Sequence, residues 1–239
     1  MRRSINLSKA AHIIASNIDR LYIVASIMLP RTSTGFIDRL LVTAEAYHIP
    51  AALVFNKTDI YTGEAMDRCN ELMQLYSSLG YPSYAVSALK GDGIDKLRDV
   101  LTDKVNLFSG HSGVGKSALI NALDPMLALK TGDISSYHNK GMHTTTFAEM
   151  HPLSFGGYMI DTPGIKEFGL VHFESQEISE RFPEFRALLP HCRYNNCTHN
   201  HEPGCAVKKA RDEGHISAER YHNYLGLLND ENLDATDYA

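Results

Sequence analysis

The sequence predicts an α/β fold, in which a mostly parallel β-sheet is covered by helices on both faces. Two observations predict it. Short apolar runs alternate with amphipathic segments up to about residue 170, and a glycine-rich loop follows one apolar run directly and opens a helix. Strands that alternate with helices of about ten residues or more are typical of parallel sheets.

The individual elements follow from this alternation and from glycine and proline residues at their ends. The predicted strands are Leu21–Met28, Ala51–Phe55, Tyr84–Val86, Val105–Phe108, Thr146–Leu153 and Tyr158–Ile160. The predicted helices are Gly35–Tyr47, Glu64–Leu79, Gly93–Thr102, Lys116–Leu123 and Ser217–Leu228. Strand signals stop after about residue 170, so we expect a remnant or linker at 1–17, a first domain at 18–172 and a small, mostly helical domain at 173–239.

Charge and hydropathy restrict the function classes. The formal net charge is −5, whereas a protein that binds RNA by charge alone is more often basic. A local basic patch at Lys208, Lys209 and Arg211 remains compatible with RNA contact. No stretch approaches the ~20 apolar residues that span a bilayer, and no apolar segment typical of a secretory signal follows the first residues. We therefore expect a cytoplasmic protein without membrane contact.

Residues 110–117, GHSGVGKS, match the phosphate-loop pattern G-x-x-x-x-G-K-[ST]. Glycines let backbone N–H groups point at phosphates, and the helix that begins at Lys116 directs its positive end at the same oxygens. Lys116 is predicted to bridge the β- and γ-phosphates, and Ser117 to ligate Mg²⁺. The predicted nucleotide-binding residues here are Gly110, His111, Ser112, Gly113, Val114, Gly115, Lys116, Ser117 and Ala118.

A base-reading motif, Asn56-Lys57-Thr58-Asp59, follows the apolar strand at 51–55. The Asp59 carboxylate can accept from both N1–H and the exocyclic amine of guanine, a donor pair that adenine lacks. Asn56 is predicted to brace the loops, and Lys57 to lay its apolar stem over the base. Ser87 and Ala88 follow the next strand, and the Ala88 N–H is expected to reach the guanine O6.

Two further segments resemble nucleotide switches. In DTPG, Asp161 is expected to hold Mg²⁺ through water, and the Gly164 N–H to contact the γ-phosphate. In GMHTTT, residues 141–146, Thr145 is expected to ligate Mg²⁺ while the γ-phosphate is present. Ile165 stands where many GTPases place a glutamine that orients the attacking water. Slow unaided hydrolysis is therefore predicted, and His143 is the nearest candidate for that role; the predicted catalytic residues are Lys116, His143 and Thr145.

The motifs stand in a rotated order, with the base motif ahead of the phosphate loop. We therefore expect a circularly permuted P-loop GTPase domain, an arrangement that the closeness of domain termini permits. The γ-phosphate contact at Gly164 then leads directly into the C-terminal region, so the nucleotide state can be transmitted there.

A cluster of Cys192, Cys197, His199 and Cys205 offers three thiolates and one imidazole, a set that suits one structural Zn²⁺. His191 or His201 could replace His199. Because the segment is poor in apolar residues, we expect the metal to supply much of its folding energy.

The motif order together with GHSGVGKS, GMHTTT, DTPGIKEFGL and the Cys-Cys-His-Cys cluster resembles the ribosome small-subunit-dependent GTPase A family over nearly the whole chain. The resemblance implies a bacterial cytoplasmic GTPase that acts late in small-subunit maturation, is stimulated by that subunit and binds its rRNA. It also implies nucleotide contacts at 56–59 and 110–118 and zinc ligands at Cys192, Cys197, His199 and Cys205.

Two features depart from this family, one at a single position and one in the expected domain content. Met142 stands where arginine is common, and the chain is expected to lack the N-terminal OB-fold domain that usually helps to bind rRNA.

Three functions compete for these motifs. The first is a GTP hydrolase, expected to be a monomer that binds GTP and GDP. The second is a GTP-switched ribosome- or RNA-binding module with negligible turnover. The third, a P-loop kinase, is disfavoured by the base motif at 56–59 and by the lack of an acceptor-binding segment.

Overall fold

The computed structural model describes residues 2–5, 8–13, 15–129, 148–161 and 175–229. These residues form two compact units. Unit 1 contains the described residues of Met1–Thr32 and Ile49–Phe168, and unit 2 contains those of Ser33–His48 and Gly169–Ala235. Residues 33–48, which the sequence analysis assigned to the first domain, thus group with the C-terminal region.

Unit 1 begins with two short antiparallel strands, β1 (Arg2–Ile5) and β2 (Ser8–Ile13). The sequence analysis assigned this stretch to a remnant or linker and predicted no strand in it. Runs this short, with mixed apolar and polar residues, carry little periodicity.

The main sheet of unit 1 has the strand order β5-β4-β3-β6-β8-β7 in the described part of the chain. All neighbours pair in parallel except β7, which is antiparallel to β8. The strands are β3 (Arg20–Ala25), β4 (Ala51–Phe55), β5 (Ser83–Ala85), β6 (Val105–Ser109), β7 (Glu149–Pro152) and β8 (Tyr158–Asp161).

The described part of the chain contains the five predicted helices, with ends that differ by at most one residue, and three further helices that were not predicted individually. They are α1 (Thr34–Ala46), α2 (Glu64–Ser78), α3 (Ile94–Leu101), α4 (Lys116–Leu123), α5 (Ser175–Glu180), α6 (Pro183–Arg186), α7 (Ala206–Asp212) and α8 (Ala218–Leu228). Single 3₁₀ turns lie at Thr58–Ile60, Pro125–Leu127 and Leu189–His191. None of the helices in the described ranges has both the length and the apolar character to span a bilayer.

The burial of the central strands explains why apolar runs in the sequence predicted this sheet. All residues of β4 are buried, as are all but the first of β3, and strands buried on both faces of a parallel sheet are nearly continuous apolar runs. Tyr22 of β3 stacks on Phe108 of β6, with the ring centroids 5.2 Å apart. The predicted α/β fold class is therefore confirmed.

The strand register places several loops at one edge of the sheet. Ala25 of β3 pairs with Phe55 of β4, and Phe55 pairs with Ala85 of β5. The loops after these parallel strands therefore emerge together, which is where open α/β sheets bind ligands. Strand β3 ends at Ala25 rather than at the predicted Met28. The chain turns at Ser26, whose N–H donates to the Thr32 hydroxyl at 3.1 Å.

Unit 2 contains more apolar packing than the composition of its cysteine segment suggested. Phe182, Phe185 and Tyr224 are fully buried, and Val42 of α1 belongs to the same apolar cluster. The apolar residues come from the helices that flank the cysteine segment, so packing supplements any metal in holding this unit together.

A buried ion network joins α1 to α6 and α8 within unit 2. The Arg220 guanidinium donates to Glu184 at 2.7 and 2.9 Å and also pairs with Asp38. Asn223 donates to the second Asp38 oxygen at 2.7 Å. Because a buried charge is costly unless it is paired, these contacts explain why a polar residue of α1 tolerates complete burial.

Candidate functional site

The phosphate loop connects β6 to α4 and requires glycine at two close approaches. A Cβ atom on Gly110 would collide with the Val24 carbonyl oxygen. Gly115 has φ +91°, and a Cβ atom there would lie 2.6 Å from the Asn56 amide nitrogen. Sequence reasoning assigned these glycines to phosphate contact. In the structure, their lack of a side chain leaves room for the Val24 carbonyl and the Asn56 side chain.

Lys116 is buried at the start of α4, with its side chain turned onto its own loop. Its Nζ donates to the carbonyl oxygens of Gly110 at 2.8 Å and His111 at 3.1 Å. Burial lowers the pKa of Lys116 to about 8, and the Asp161 carboxylate partly offsets this effect. An anionic phosphate beside the ammonium would raise the pKa of Lys116 again.

We therefore expect nucleotide binding to take up protons in mildly alkaline solution. At about pH 8.5 part of the free protein has a neutral Lys116, and bound GDP favours the charged form, so a proton is taken up and affinity falls as the pH rises. At about pH 7 the amine is already protonated and this uptake becomes small. Calorimetric titration with GDP in two buffers of different ionisation enthalpy measures the uptake. Equal heats in both buffers at the higher pH would contradict the expectation.

Asn56 links two loops at the carboxyl edge of the sheet. Its Nδ2 donates to the Val114 carbonyl of the phosphate loop at 3.0 Å, and its Oδ1 accepts from the Ala88 N–H at 3.1 Å. The bracing role assigned to Asn56 from sequence corresponds to these two contacts. The Ala88 N–H, which sequence reasoning assigned to guanine O6, is bonded to Asn56 here, so the base would have to share this donor.

Lys57 and Asp59 lie beside this brace. Lys57 adopts a left-handed backbone conformation, with φ 67°, and its Nζ donates to the carbonyl oxygens of Gly113, at 2.8 Å, and Leu29. Its stem therefore extends over the phosphate loop. The Ser87 hydroxyl donates to one Asp59 oxygen at 2.5 Å, which orients the carboxylate. The Thr58 N–H donates to the Val86 carbonyl at 3.2 Å and closes the turn.

Tyr61 joins the backbone of the base motif to the loop after β3, and sequence reasoning missed this residue. Its hydroxyl donates to the Asn56 carbonyl at 2.5 Å and accepts from the Ile27 N–H at 2.8 Å. Burial raises the pKa of Tyr61 to about 12. No sequence motif includes a tyrosine two residues beyond Asp59. Its partner Ile27, in the loop after β3, is also distant in sequence.

Replacing Tyr61 with phenylalanine is expected to weaken both stability and nucleotide binding. The change leaves the buried Asn56 carbonyl and the partly buried Ile27 N–H without this partner. An unsatisfied buried group costs about 1–3 kcal/mol, whereas water can replace the partner of a partly exposed one. We therefore expect a loss of about 1–3 kcal/mol in the free energy of unfolding and a severalfold weaker GDP affinity. Denaturant unfolding and GDP titration measure the two effects. Tyr158→Phe, at a site 45% exposed, is the control, and a Tyr61→Phe variant that matches it in both would contradict the role.

The remaining predicted nucleotide residues fall into two groups. Asp161 is buried at the end of β8, opposite Phe108 in the parallel register, and Ser117 and Ala118 lie in the first turn of α4. The other predicted switch residues lie outside the described residues. They are Met142, His143, Thr145, Gly164 and Ile165.

A possible metal centre lies in unit 2. One ligand atom from each of Cys192, Cys197, His199 and Cys205 lies within 4.8 Å of every other. The His199 Nδ1 is 3.3 Å from the Cys205 sulfur and 3.6 Å from the Cys192 sulfur. Tetrahedral coordination at about 2.0–2.3 Å separates ligand atoms by about 3.3–3.8 Å, so the four residues could hold a metal ion. His199, rather than the exposed His191 or His201, joins this cluster.

Binding of a cation would require these thiols to release their protons. Burial, together with the neighbouring Cys205 and Cys192, raises the pKa of Cys197 to about 12. A divalent ion favours thiolates, and it would remove the repulsion among three of them.

Comparisons with known proteins bear on the fold and the family of the chain. The RsgA GTPase family model matches residues 1–171. The small ribosomal subunit biogenesis GTPase RsgA of Bacteroides fragilis is 53% identical over 231 residues, which cover 97% of this chain and 74% of that protein. The protein of the same name from Porphyromonas gingivalis is 50% identical over 237 residues, covering 98% and 75%.

Two solved structures are similar throughout most of the chain. The crystal structure of YjeQ from Thermotoga maritima has a TM-score of 0.75 and 34% identity, covering 96% of this chain and 76% of that one. The crystal structure of YloQ, described as a circularly permuted GTPase, has a TM-score of 0.73 and 29% identity, covering 90% and 68%. The rotated motif order thus has solved counterparts, and the chain belongs to the RsgA GTPase family.

Proposed function

We propose that this chain hydrolyses GTP to GDP and phosphate, and that the small ribosomal subunit stimulates the reaction late in its own maturation. Asn56 carries the nucleotide part of this proposal, because its side chain joins the phosphate loop to the Ser87–Ala88 loop beside Asp59. The names of the relatives, small ribosomal subunit biogenesis GTPase, support the biological part.

Nucleotide recognition is divided between two groups of residues. Asp59 accepts from the guanine N1–H and amine, held in place by Ser87, while Lys57 covers the base. The phosphate loop, residues 110–118, binds the phosphates through backbone N–H groups and Lys116. We assign Asp161 and Gly164 to contacts on the γ-phosphate side, and Ser117 and Thr145 would hold the Mg²⁺ that neutralises phosphate charge.

Hydrolysis transfers the γ-phosphoryl group from the β–γ bridging oxygen to the oxygen of water. Lys116 stabilises the negative charge that develops on the bridging and γ oxygens. Ile165 has no group that can orient the water, so His143 or a partner supplies this function. Hydrolysis is consequently slow until the partner is bound.

The C-terminal unit has a structural role in this proposal. Cys192, Cys197, His199 and Cys205 bind one Zn²⁺, and the unit helps to bind small-subunit rRNA. The protein works as a cytoplasmic monomer.

Competition for the nucleotide site tests the enzymatic core of the proposal. Unlabelled GTP and GDP should displace a fluorescent GDP analogue from the chain, whereas ATP should not, because adenine lacks the donor pair that Asp59 requires. Phosphate release is likewise expected from GTP and not from ATP. Displacement by ATP at the concentrations that suffice for GTP would refute guanine recognition.

The alternative is a GTP-switched ribosome- or RNA-binding module with negligible turnover. Ile165 favours it, since an isoleucine cannot polarise water. A chain that binds GTP and small subunits together, but releases no phosphate in their presence, would support this alternative.

A further inference from the structure

The turn that presents His199 is held by side chains from outside the ligand set. His199 has φ +57°, a left-handed conformation that a residue with a Cβ adopts at a cost. Such a conformation persists only where the surroundings enforce it. The question is which groups enforce it.

Glu202 brackets His199 from both sides. Its Oε1 accepts from the Thr198 N–H and the Thr198 hydroxyl, each at 2.7 Å, and its Oε2 accepts from the Asn200 N–H at 3.1 Å. One carboxylate thus fixes the backbone immediately before and after the ligand. Hydrogen bonds to a charged acceptor are stronger than those between neutral groups.

Helices α7 and α8 hold the carbonyl groups of the same turn. Tyr224 donates to the Thr198 carbonyl and Tyr221 to the His199 carbonyl, both at 2.6 Å. The Lys208 ammonium donates to the Asn200 carbonyl at 3.1 Å. Polar backbone groups on both sides of His199 therefore have side-chain partners, and none of these partners is itself a ligand.

The second ring nitrogen of His199 does not supply this orientation. A metal-bound histidine usually donates its other N–H to a carboxylate, a carbonyl or water. In the described part of the chain, the buried Nε2 of His199 has no hydrogen-bond partner, and the ring lies 6.1 Å from the Phe185 ring and 6.2 Å from the Tyr224 ring, between centroids. The aromatic rings limit the space, so the direction of Nδ1 is left to the backbone.

We propose that Glu202 is a positioning residue for the metal centre, because its carboxylate fixes the turn that aims the His199 Nδ1 at the three sulfur atoms. This inference rests on the proposed structural metal site and adds a residue outside its four ligands.

Substitution of Glu202 by glutamine tests the proposal. The amide NH₂ of glutamine would face the backbone N–H of either Thr198 or Asn200. The hydrogen bond on that side of His199 is then lost, while the size of the side chain is kept. Loss of such outer contacts lowers metal affinity by about 10–100-fold. Chelator competition with zinc measures the affinity of the whole 239-residue chain, and the absorption of bound cobalt reports the ligand geometry. Glu213→Gln, with the same change of charge on an exposed residue, should match the wild type.

The outcomes separate the inference from the site on which it rests. Wild-type chain that binds no zinc would overturn the metal site together with the inference. Zinc bound equally tightly by the wild type and by Glu202→Gln would overturn the inference alone. If Glu202→Gln does not fold, Thr198→Val decides, since it removes only the hydroxyl donor. A weaker affinity with an unchanged fold then supports the proposal, and an unchanged affinity overturns it.

Discussion

Replacement of Asp59 by asparagine is expected to lower the affinity for GTP and GDP by about a hundredfold or more, because hydrogen bonds to a charged group contribute about 1.5–3 kcal/mol each. The asparagine oxygen can still accept from the guanine N1–H, but its NH₂ group would face the guanine amine. Xanthine carries a carbonyl oxygen at that position, so the variant should gain affinity for xanthosine nucleotides. Titration of wild type and variant with both nucleotide series measures this reversal.

The matched control for this change is Asp95→Asn, whose side chain is 92% exposed on α3. It should bind GDP as the wild type does. An Asp59→Asn variant with unchanged guanine affinity would show that the base is recognised elsewhere.

Removal of the Lys116 ammonium is expected to reduce GTP turnover by about 10²–10³-fold, which is the cost of losing one preorganised group that stabilises developing charge. Lys116→Ala should also bind GDP more weakly, because the ammonium is already placed beside the phosphate loop. Phosphate release measured with saturating GTP separates the turnover effect from the binding effect. Lys96→Ala, on an exposed position of α3, is the control. Full turnover by Lys116→Ala would exclude this site as the catalytic one.

The meeting of the motif loops could be predicted because each motif combines a local pattern with a fixed place in the fold. The loops after β4, β5 and β6 belong to consecutive parallel pairs, so their side chains meet at one edge of the sheet. On that basis Asn56 could be predicted to link neighbouring loops. The second bond of its side chain, to the Ala88 N–H, was not foreseen, since a strand order does not specify which atom of a loop is nearest.

Two kinds of contact account for the parts that sequence reasoning missed: contacts with backbone groups and contacts between distant residues. Tyr61 and Glu202 bind backbone groups, which leave no side-chain pattern in the sequence. The contacts that group α1 with unit 2 include the ion pair of Asp38, a helix residue whose partner Arg220 lies far along the chain. Cysteine spacing alone also left the fourth ligand open, because three nearby histidines satisfy it. The structure distinguishes His199, since its ring nitrogen lies within 4.8 Å of the three sulfur atoms.

GTP turnover by the purified chain, measured alone and with purified small or large ribosomal subunits, tests the central claim most directly. The account predicts slow release of phosphate by the chain alone and a marked acceleration by small subunits only. A partner that completes a GTPase site raises its turnover by about 10³–10⁵-fold in the best-studied systems. The same low rate under all three conditions, or equal acceleration by the large subunit, would contradict a GTPase that depends on the small subunit.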